Sequence, residues 1–447
     1  MEFINKLVSD YWLSSAQQKC NMRYCLLLIV GLLATFCVFA QNNLPTVFVK
    51  DVPSMKLRID PTYARGGRTS QIFDTVIYTP LETRKDVVVG FTHNLQVSTH
   101  YFVFFDQDFK GIYIFYRNGK YKTSINKLPI ANWNKQEDGY MFQDFYLDKK
   151  SERIFVLYND KSRENNRWMA IFSPEGTLLK SRKLPALVRY MDFRVLDIDS
   201  SGDKSTILAH YANPKEKSDS NLAKYHFYQI QNFDSITSSM VPRIMDKAID
   251  PLANQEWIQY YADPVVNGRV VWSRAFDYTV YRSDDKGRMT KFQVLFPLSY
   301  SIDSSFYKDT VALKSWDKAY AYFEGKNKLT QSLRSIVEIN DWLVFTMQNR
   351  TWPNPILFYN LKNQKLVDFN KITSDSMSYF LPLKSWRVET ADNGSIYTII
   401  PAFKMFQAKE SREDVPWETN PVLKEYFTRE NRKSNPVIVQ LKLKSNL

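Results

Sequence analysis

VVVGFTHNLQVSTHYFVFFDQDFKGIYIFYRNGKYKTSIN, residues 87–126, reads as four short strands in succession. The last two, GIYIFY and KYKTSI, alternate about the turn Arg117-Asn118-Gly119. Asn-Gly between alternating runs is the strongest short-range hairpin signal, because both central residues must accept positive φ. The unit then recurs. Residues 140–184 give YMFQDFYLD, RIFVLYND, RWMAIFS and TLLKSRKL, and residues 193–241 give FRVLDID, STILAHYA, YHFYQIQ and SITSSMV. Residues 256–296 give EWIQYYAD, RVVWSRAF, YTVYRSD and TKFQVLF, and residues 332–371 give SLRSIVEI, DWLVFTMQ, PILFYNL and KLVDFNK.

Four strands over about 40–55 residues, repeated, is the spacing of propeller blades. A sixth unit is incomplete: SWRVETAD and SIYTIIPA, an insertion over about 403–434, then PVIVQLKLK at 436–444. It lacks one strand, and the run 74–81 is a strand to spare. Pairing the two closes the ring and leaves no long open edge. The expected fold is therefore an all-β, six-bladed β-propeller of four-stranded blades, with an N-terminal strand in the last blade. Within the insertion, Asn420 followed by Pro421 is a helix start, with Asn as cap and Pro at the first helical position, so blade six carries a short helix.

Composition agrees. The chain has 447 residues, 44% of them apolar, with 27 Tyr, 30 Phe and 10 Trp. Such an aromatic load suits half-buried pleated sheet and is foreign to disordered chains. Net charge is +13, yet Lys and Arg are interspersed with acids rather than clustered, which argues against a nucleic-acid footprint. All three cysteines, Cys20, Cys25 and Cys37, fall in the first 40 residues. The body of the chain thus holds no disulfide framework, thiolate metal site or cysteine nucleophile.

Residues 25–40, CLLLIVGLLATFCVFA, follow Arg23 and contain no charge. A basic start, a short apolar run and small residues at its end make a secretory signal. It spans residues 1–40, with Met22 as the expected start and a cut before Gln41. At 16 residues the run is short for a membrane span, which needs about 20, so membrane association would come only through an uncleaved leader. Residues 41–68 read as a linker, and 69–447 as one propeller domain. The product is expected in the periplasm, the outer envelope or outside the cell.

The segment LRIDPTYARGGRTSQIFDTVIYTPLET, 57–83, resembles the opening of a six-bladed β-propeller family, NHL-like in architecture, found in exported and lipid-anchored proteins of Gram-negative gut-type bacteria. The matching pieces are Pro80-Leu81-Glu82-Thr83, Phe115 with Asn118-Gly119-Lys120, and Asn435-Pro436-Val437-Ile438 with Lys442-Leu443. The resemblance implies the propeller fold and no catalytic residues. Phe36 before Cys37 departs from the small residue that a lipid-anchoring site needs.

Nothing in the sequence matches a P-loop, GxGxxG, GxSxG or HExxH. His93, His100, His210 and His226 lack metal-ligand spacing, and Asp197 and Asp199 lack calcium-loop spacing. No metal and no cofactor is expected. In propellers, ligands sit over the central opening, on loops joining second to third strands and on crossings between blades. Those loops supply Asp106 and Asp108, then Arg274, Asp277 and Tyr278, then Arg350 and Trp352, and Trp417 from the insertion. Arg and Asp beside aromatic rings suit a sugar or peptide, since rings stack and charged forks orient. The expected function is an exported binding or scaffold module for a glycan, peptide or envelope protein. The alternative is a hydrolase or lyase acting on glycans or peptides, with acids meeting at the axis.

Overall fold

The computed structural model describes residues 46–47, 53–130, 142–159, 167–188, 191–211, 225–242, 252, 260–262, 269–283, 288–412 and 416–444. The leader expected over 1–40 lies outside them. Six sheets form the blades. Blade 1 comprises Thr92–Val97, Tyr101–Asp106, Gly111–Tyr116 and Tyr121–Ile125, and its hairpin turns at Gly119 with φ +84°. The second and third strands of each blade are sandwiched between neighbouring blades, so their runs are apolar on both faces rather than alternating. Blade 5 shows this in Trp342–Gln348 and Ile356–Asn360, which are almost wholly buried.

Side chains of adjacent blades interdigitate. Val103, Ile112 and Ile114 of blade 1 pack with Phe145, Ile154 and Val156 of blade 2. The first strands converge on the central axis, and there the ladder is irregular. In blades 1, 2, 3 and 5, the pairing of the first strand with the second is interrupted by a register shift. Such bulges bend a strand and re-aim its side chains, and here they turn polar side chains inward.

Closure follows the sequence expectation. Val437–Leu443 pairs with Ser395–Ile400 on one side and Phe73–Pro80 on the other, with Val437 opposite Pro80 and Leu443 opposite Phe73. Asn435 locks the join. Its side chain donates to the carbonyls of Glu82 (2.8 Å) and Val87 (3.0 Å) and accepts from the Val89 amide at 2.8 Å. Glu82 and Asn435 belong to the opening and closing pieces that carried the family resemblance.

The expected linker is corrected. Of residues 41–68, three pieces are strands: Thr46–Val47, Ser54–Arg58 and Arg65–Arg68. Each adds in parallel to the outer strand of a blade: 3, 4 and 5 in turn. The chain then enters blade 6 as Phe73–Pro80. This strap escaped the sequence reading because its residues are mostly polar: in Ser54–Arg58 only Leu57 is buried. Blade 6 carries two helices in its insertion, Ala402–Glu410 and Pro421–Arg429. In the second, Asn420 accepts from the amides of Val422 and Leu423, as its sequence implied. Between blades 4 and 5 lies a helical excursion, Ser304–Lys308 and Trp316–Tyr322, built on Phe276, Phe306 and Phe323. The sequence reading left residues 297–331, between the fourth and fifth units, without an assigned element.

Candidate functional site

The face bearing the loops between second and third strands, here called upper, holds the convergent polar side chains. Blade 1 supplies His93 and Asn94, blade 2 Asp144, blade 3 Arg194 and blade 6 Arg387 and Glu389. Asn94 is at φ +54° within its bulge, a conformation that Asn tolerates better than most residues. Its amide donates to Asp144 Oδ1 at 2.7 Å, and Arg194 donates to Asp144 Oδ2 at 2.7 Å. One carboxylate thus ties three blades together by charge-assisted bonds, stronger than neutral ones.

His93, Asn94, Asp144 and Arg194 line an axial cavity of about 250 Å³, walled also by Phe105, Phe142, Phe193 and Trp272. His93 stands on its rim between charges. Burial, then the Arg387 guanidinium, holds its imidazole below the ordinary value, with Asp144 opposing. Glu389 is buried, which raises its carboxyl pKa. Arg387 answers that burial with a hydrogen bond from Nε to Glu389 Oε2 at 2.8 Å and an ion-pair contact from Nη2 at 2.8 Å. The same guanidinium donates to the Thr92 carbonyl at 3.1 Å.

A second cavity of about 220 Å³ opens on the upper face at the seam between blades 6 and 1. Its wall includes Phe91 and Trp386, stacked with centroids 5.7 Å apart and planes at 25°. Phe91 is 41%, Trp386 38% and Phe403 48% exposed. On the lower face, Lys149 of blade 2 reaches Asp392 of blade 6 in an ion pair near the axis.

The residues expected from the sequence lie on the upper-face loops but do not meet around one cavity. Asp106 is fully buried. It accepts from the amides of Gly90, Asp108 and Phe109, and burial raises its pKa. Asp108 accepts from the Phe91 amide at 2.8 Å. Both acids therefore position the loop that carries Phe91 rather than facing the axis. Arg274 and Asp277 pair with each other at 2.8 Å. Tyr278 is half-buried, donating to the Thr330 carbonyl and accepting from the Ile302 amide, both at 2.8 Å. Arg350 stacks over Tyr320, 4.4 Å from its centroid, and Trp352 is 79% exposed. Trp417 packs edge-on against Phe427 at 5.1 Å.

The axial residues were missed because each blade contributes only one or two, leaving no local motif. One trace existed: Thr92-His93-Asn94 interrupts the apolar alternation of a strand otherwise well patterned.

The likenesses to known proteins concern the fold. A family model described as a 6-bladed beta-propeller, DUF5128, matches residues 59–382. A solved structure of a Bacteroides fragilis protein inferred to be exported is 12% identical, with a TM-score of 0.63, covering 88% of this chain and 100% of that one. A Bacteroides vulgatus protein of another domain family is 11% identical at a TM-score of 0.41, covering 83% and 97%. Streptogramin B lyase is 9% identical at 0.35, covering 73% and 80%. The first likeness speaks for the fold alone, and the other two carry no weight for function. No curated protein matches the sequence. Among the described residues no helix is long and apolar enough to cross a membrane. With a model match over most of its length and six blades closed through the segment where that match begins, the chain belongs to the 6-bladed beta-propeller family DUF5128.

Proposed function

We propose that this propeller is an exported binding module of the cell envelope, and that its ligand, a glycan, peptide or protein segment, enters the axial cavity of the upper face. The observation that carries this reading is the network Asn94–Asp144–Arg194, which crosses three blades and lines a cavity with aromatic walls. A few fixed polar groups within an apolar surround is the ordinary make-up of a ligand pocket. The leader-like segment 25–40 supports export, as does the likeness to the Bacteroides fragilis protein.

Binding is favoured over hydrolysis by how the carboxylates are engaged. Asp144 is held by Arg194 and Asn94, and Glu389 by Arg387. A general acid or base needs its carboxyl turned to the substrate, whereas these are turned to guanidinium groups. The test is a thermal-shift screen of the chain against glycans and peptides, since a ligand selective for the native state raises the melting temperature. For any hit, Asp144→Asn, which keeps shape and removes charge, should weaken binding about 10-fold or more, as expected for a charged hydrogen bond. Trp352→Ala, at the edge of the face, should leave binding unchanged. The reverse pattern would move the site to blade 5.

A further inference from the structure

Traced backwards from Phe73–Pro80 in blade 6, the strap takes one blade after another. Arg65–Arg68 lies on blade 5, Ser54–Arg58 on blade 4 and Thr46–Val47 on blade 3. Blade 2 is next in the ring. Among the described residues its outer strand, Leu178–Lys183, has a neighbouring strand on one side only. The strap strands begin at 46, 54 and 65 and the blade 6 strand at 73, in steps of 8, 11 and 8 residues. At that stride the next strand back falls inside the apolar run 25–40. With a cut before Gln41, the five residues left ahead of Thr46 do not reach blade 2.

The edge itself is ready for pairing. The Leu184 amide donates to the Arg167 carbonyl at 2.8 Å, and Arg182 and Lys180 stand opposite Met169 and Ile171. Antiparallel bonding alternates along a strand. Arg182 and Lys180 therefore turn their backbone groups to the blade, and Ser181 and Lys183 turn theirs outward. In blade 4 the corresponding outward groups hold the strap. The Lys291 amide donates to the Pro53 carbonyl at 2.9 Å, and the Leu295 carbonyl accepts from the Ile59 amide at 3.0 Å. A row of outward N–H and C=O groups is the template on which a further strand adds. Blade 1 differs, since its outer strand gives the Tyr121 amide to Glu82 at 2.8 Å and has Gly176 against Thr123.

Charge narrows the occupant. The strand carries Lys180, Arg182 and Lys183, and the turns beside it, 173–177 and 199–204, carry Glu175, Asp199, Asp203 and Lys204. Asp203 pairs with Lys180 at 2.6 Å and lies 3.9 Å from Arg182. Glu175 pairs with Lys122 at 3.2 Å, and Asp199 accepts from the amides of Asp203 and Lys204. Arg153 donates to the Ser200 carbonyl. With Lys122 and Arg153 counted, six cations stand against three acids, and Lys183 is exposed with no ion-pair partner among the described residues. Like charges oppose the pairing of two such edges from two copies. Leu178 and Leu179, both exposed, add apolar surface at the start of the strand.

We propose that this edge is a docking site, and that its occupant is an extended acidic segment of another polypeptide, added parallel to Leu178–Lys183 as a fifth strand of blade 2. The site is separate from the axial cavity.

Fluorescence anisotropy with a labelled ten-residue peptide of alternating Glu and Val tests it, on the chain from Gln41, which holds all six blades and the strap. Binding should be saturable and roughly 10-fold tighter than for the Lys and Val counterpart, the effect of a few opposite-charge pairs. N-methylation of the peptide amides on its pairing side should cost about 10-fold or more, for two or three lost bonds. Lys183→Pro should do the same with the melting temperature kept, because proline is tolerated where an edge N–H faces solvent. Lys183→Gln keeps that N–H and should only narrow the preference for acid. Hydrogen exchange at Ser181 and Lys183 should slow on binding, and Asp144→Asn should change nothing. If the Lys peptide binds equally well, the acidic partner is wrong. If N-methylation and Lys183→Pro are both harmless, or Asp144→Asn abolishes binding, the edge is not the site. No binding at all would mean that the cations guard the edge against added strands. If retaining residues 1–40 abolishes binding, the occupant is this chain's own leading segment and the partner assignment fails.

Discussion

His93 is the residue at which stability, charge and site meet. Burial and the neighbouring Arg387 and Arg194 hold its pKa below the ordinary 6.5, while Asp144 pulls it up. In the folded chain the ring stays neutral at pH values where the unfolded chain has begun to bind a proton. Stability therefore falls as pH drops below about 6.5, and the loss ends at the depressed folded value. His93→Gln cannot titrate. Between about pH 7.5 and 5.5, across the ordinary range of histidine, the native chain should lose more melting temperature than this variant. Equal losses in thermal melts at the two pH values would remove His93 from the account. Asp106 teaches a different lesson at the same scale. In the sequence it reads as a ligand group on an upper loop, and in the fold it is a buried staple for three backbone amides. Residue type and loop position are visible in a sequence, but the direction of a side chain depends on packing.

At the scale of elements, the strands of the blades were legible and the strap was not, for one physical reason. Second and third strands are buried on both faces, so they write long apolar runs into the sequence. A strap strand is held by backbone bonds to one neighbour and needs few apolar residues; Arg65-Gly66-Gly67-Arg68 shows no strand pattern at all. Its sign is instead a glycine. A Cβ on Gly66 would collide with the Lys371 carbonyl oxygen on the outer strand of blade 5. Clips hold this approach: Lys371 Nζ donates to the Ala64 carbonyl at 2.8 Å, and Thr373 Oγ1 to the Gly67 carbonyl at 3.2 Å. Gly66→Ala should therefore lift the strap from blade 5 and destabilise the chain by about 1–3 kcal/mol, the usual cost of overpacking. Chemical denaturation would show it, and an unchanged midpoint would mean that the strap contributes nothing at this point. The cap at Asn420 was legible for the opposite reason, since its side chain bonds amides two and three residues on.

For the whole molecule, closure is the decisive contact. The sequence exposed it as arithmetic, one blade short of a strand and one strand without a blade. It did not expose the lock, because Asn435 and its partners stand far apart in the chain; Asn435 and the Glu82 carbonyl it bonds are separated by 353 residues. Asn435→Ala removes all three side-chain bonds across the join and leaves the Val87 and Val89 backbone groups to find other partners. At about 1 kcal/mol net for each bond, it should cost roughly 3 kcal/mol in chemical denaturation. A change of less than about 0.5 kcal/mol, the range of ordinary surface substitutions, would show that the paired strands close the ring without it. The axial site is legible only at this scale, since its cavity exists only once the first strands of several blades stand side by side.

The strap also orders events in time. The strands synthesised early, Thr46–Val47, Ser54–Arg58, Arg65–Arg68 and Phe73–Pro80, pair with strands of blades 3, 4, 5 and 6, which are made later, the last of them at Val437–Leu443. A chain emerging N-terminus first cannot settle its leading segment until its trailing end has appeared. Contacts of such long sequence separation form slowly. The leading strands therefore wait unpaired until the last blade has been made.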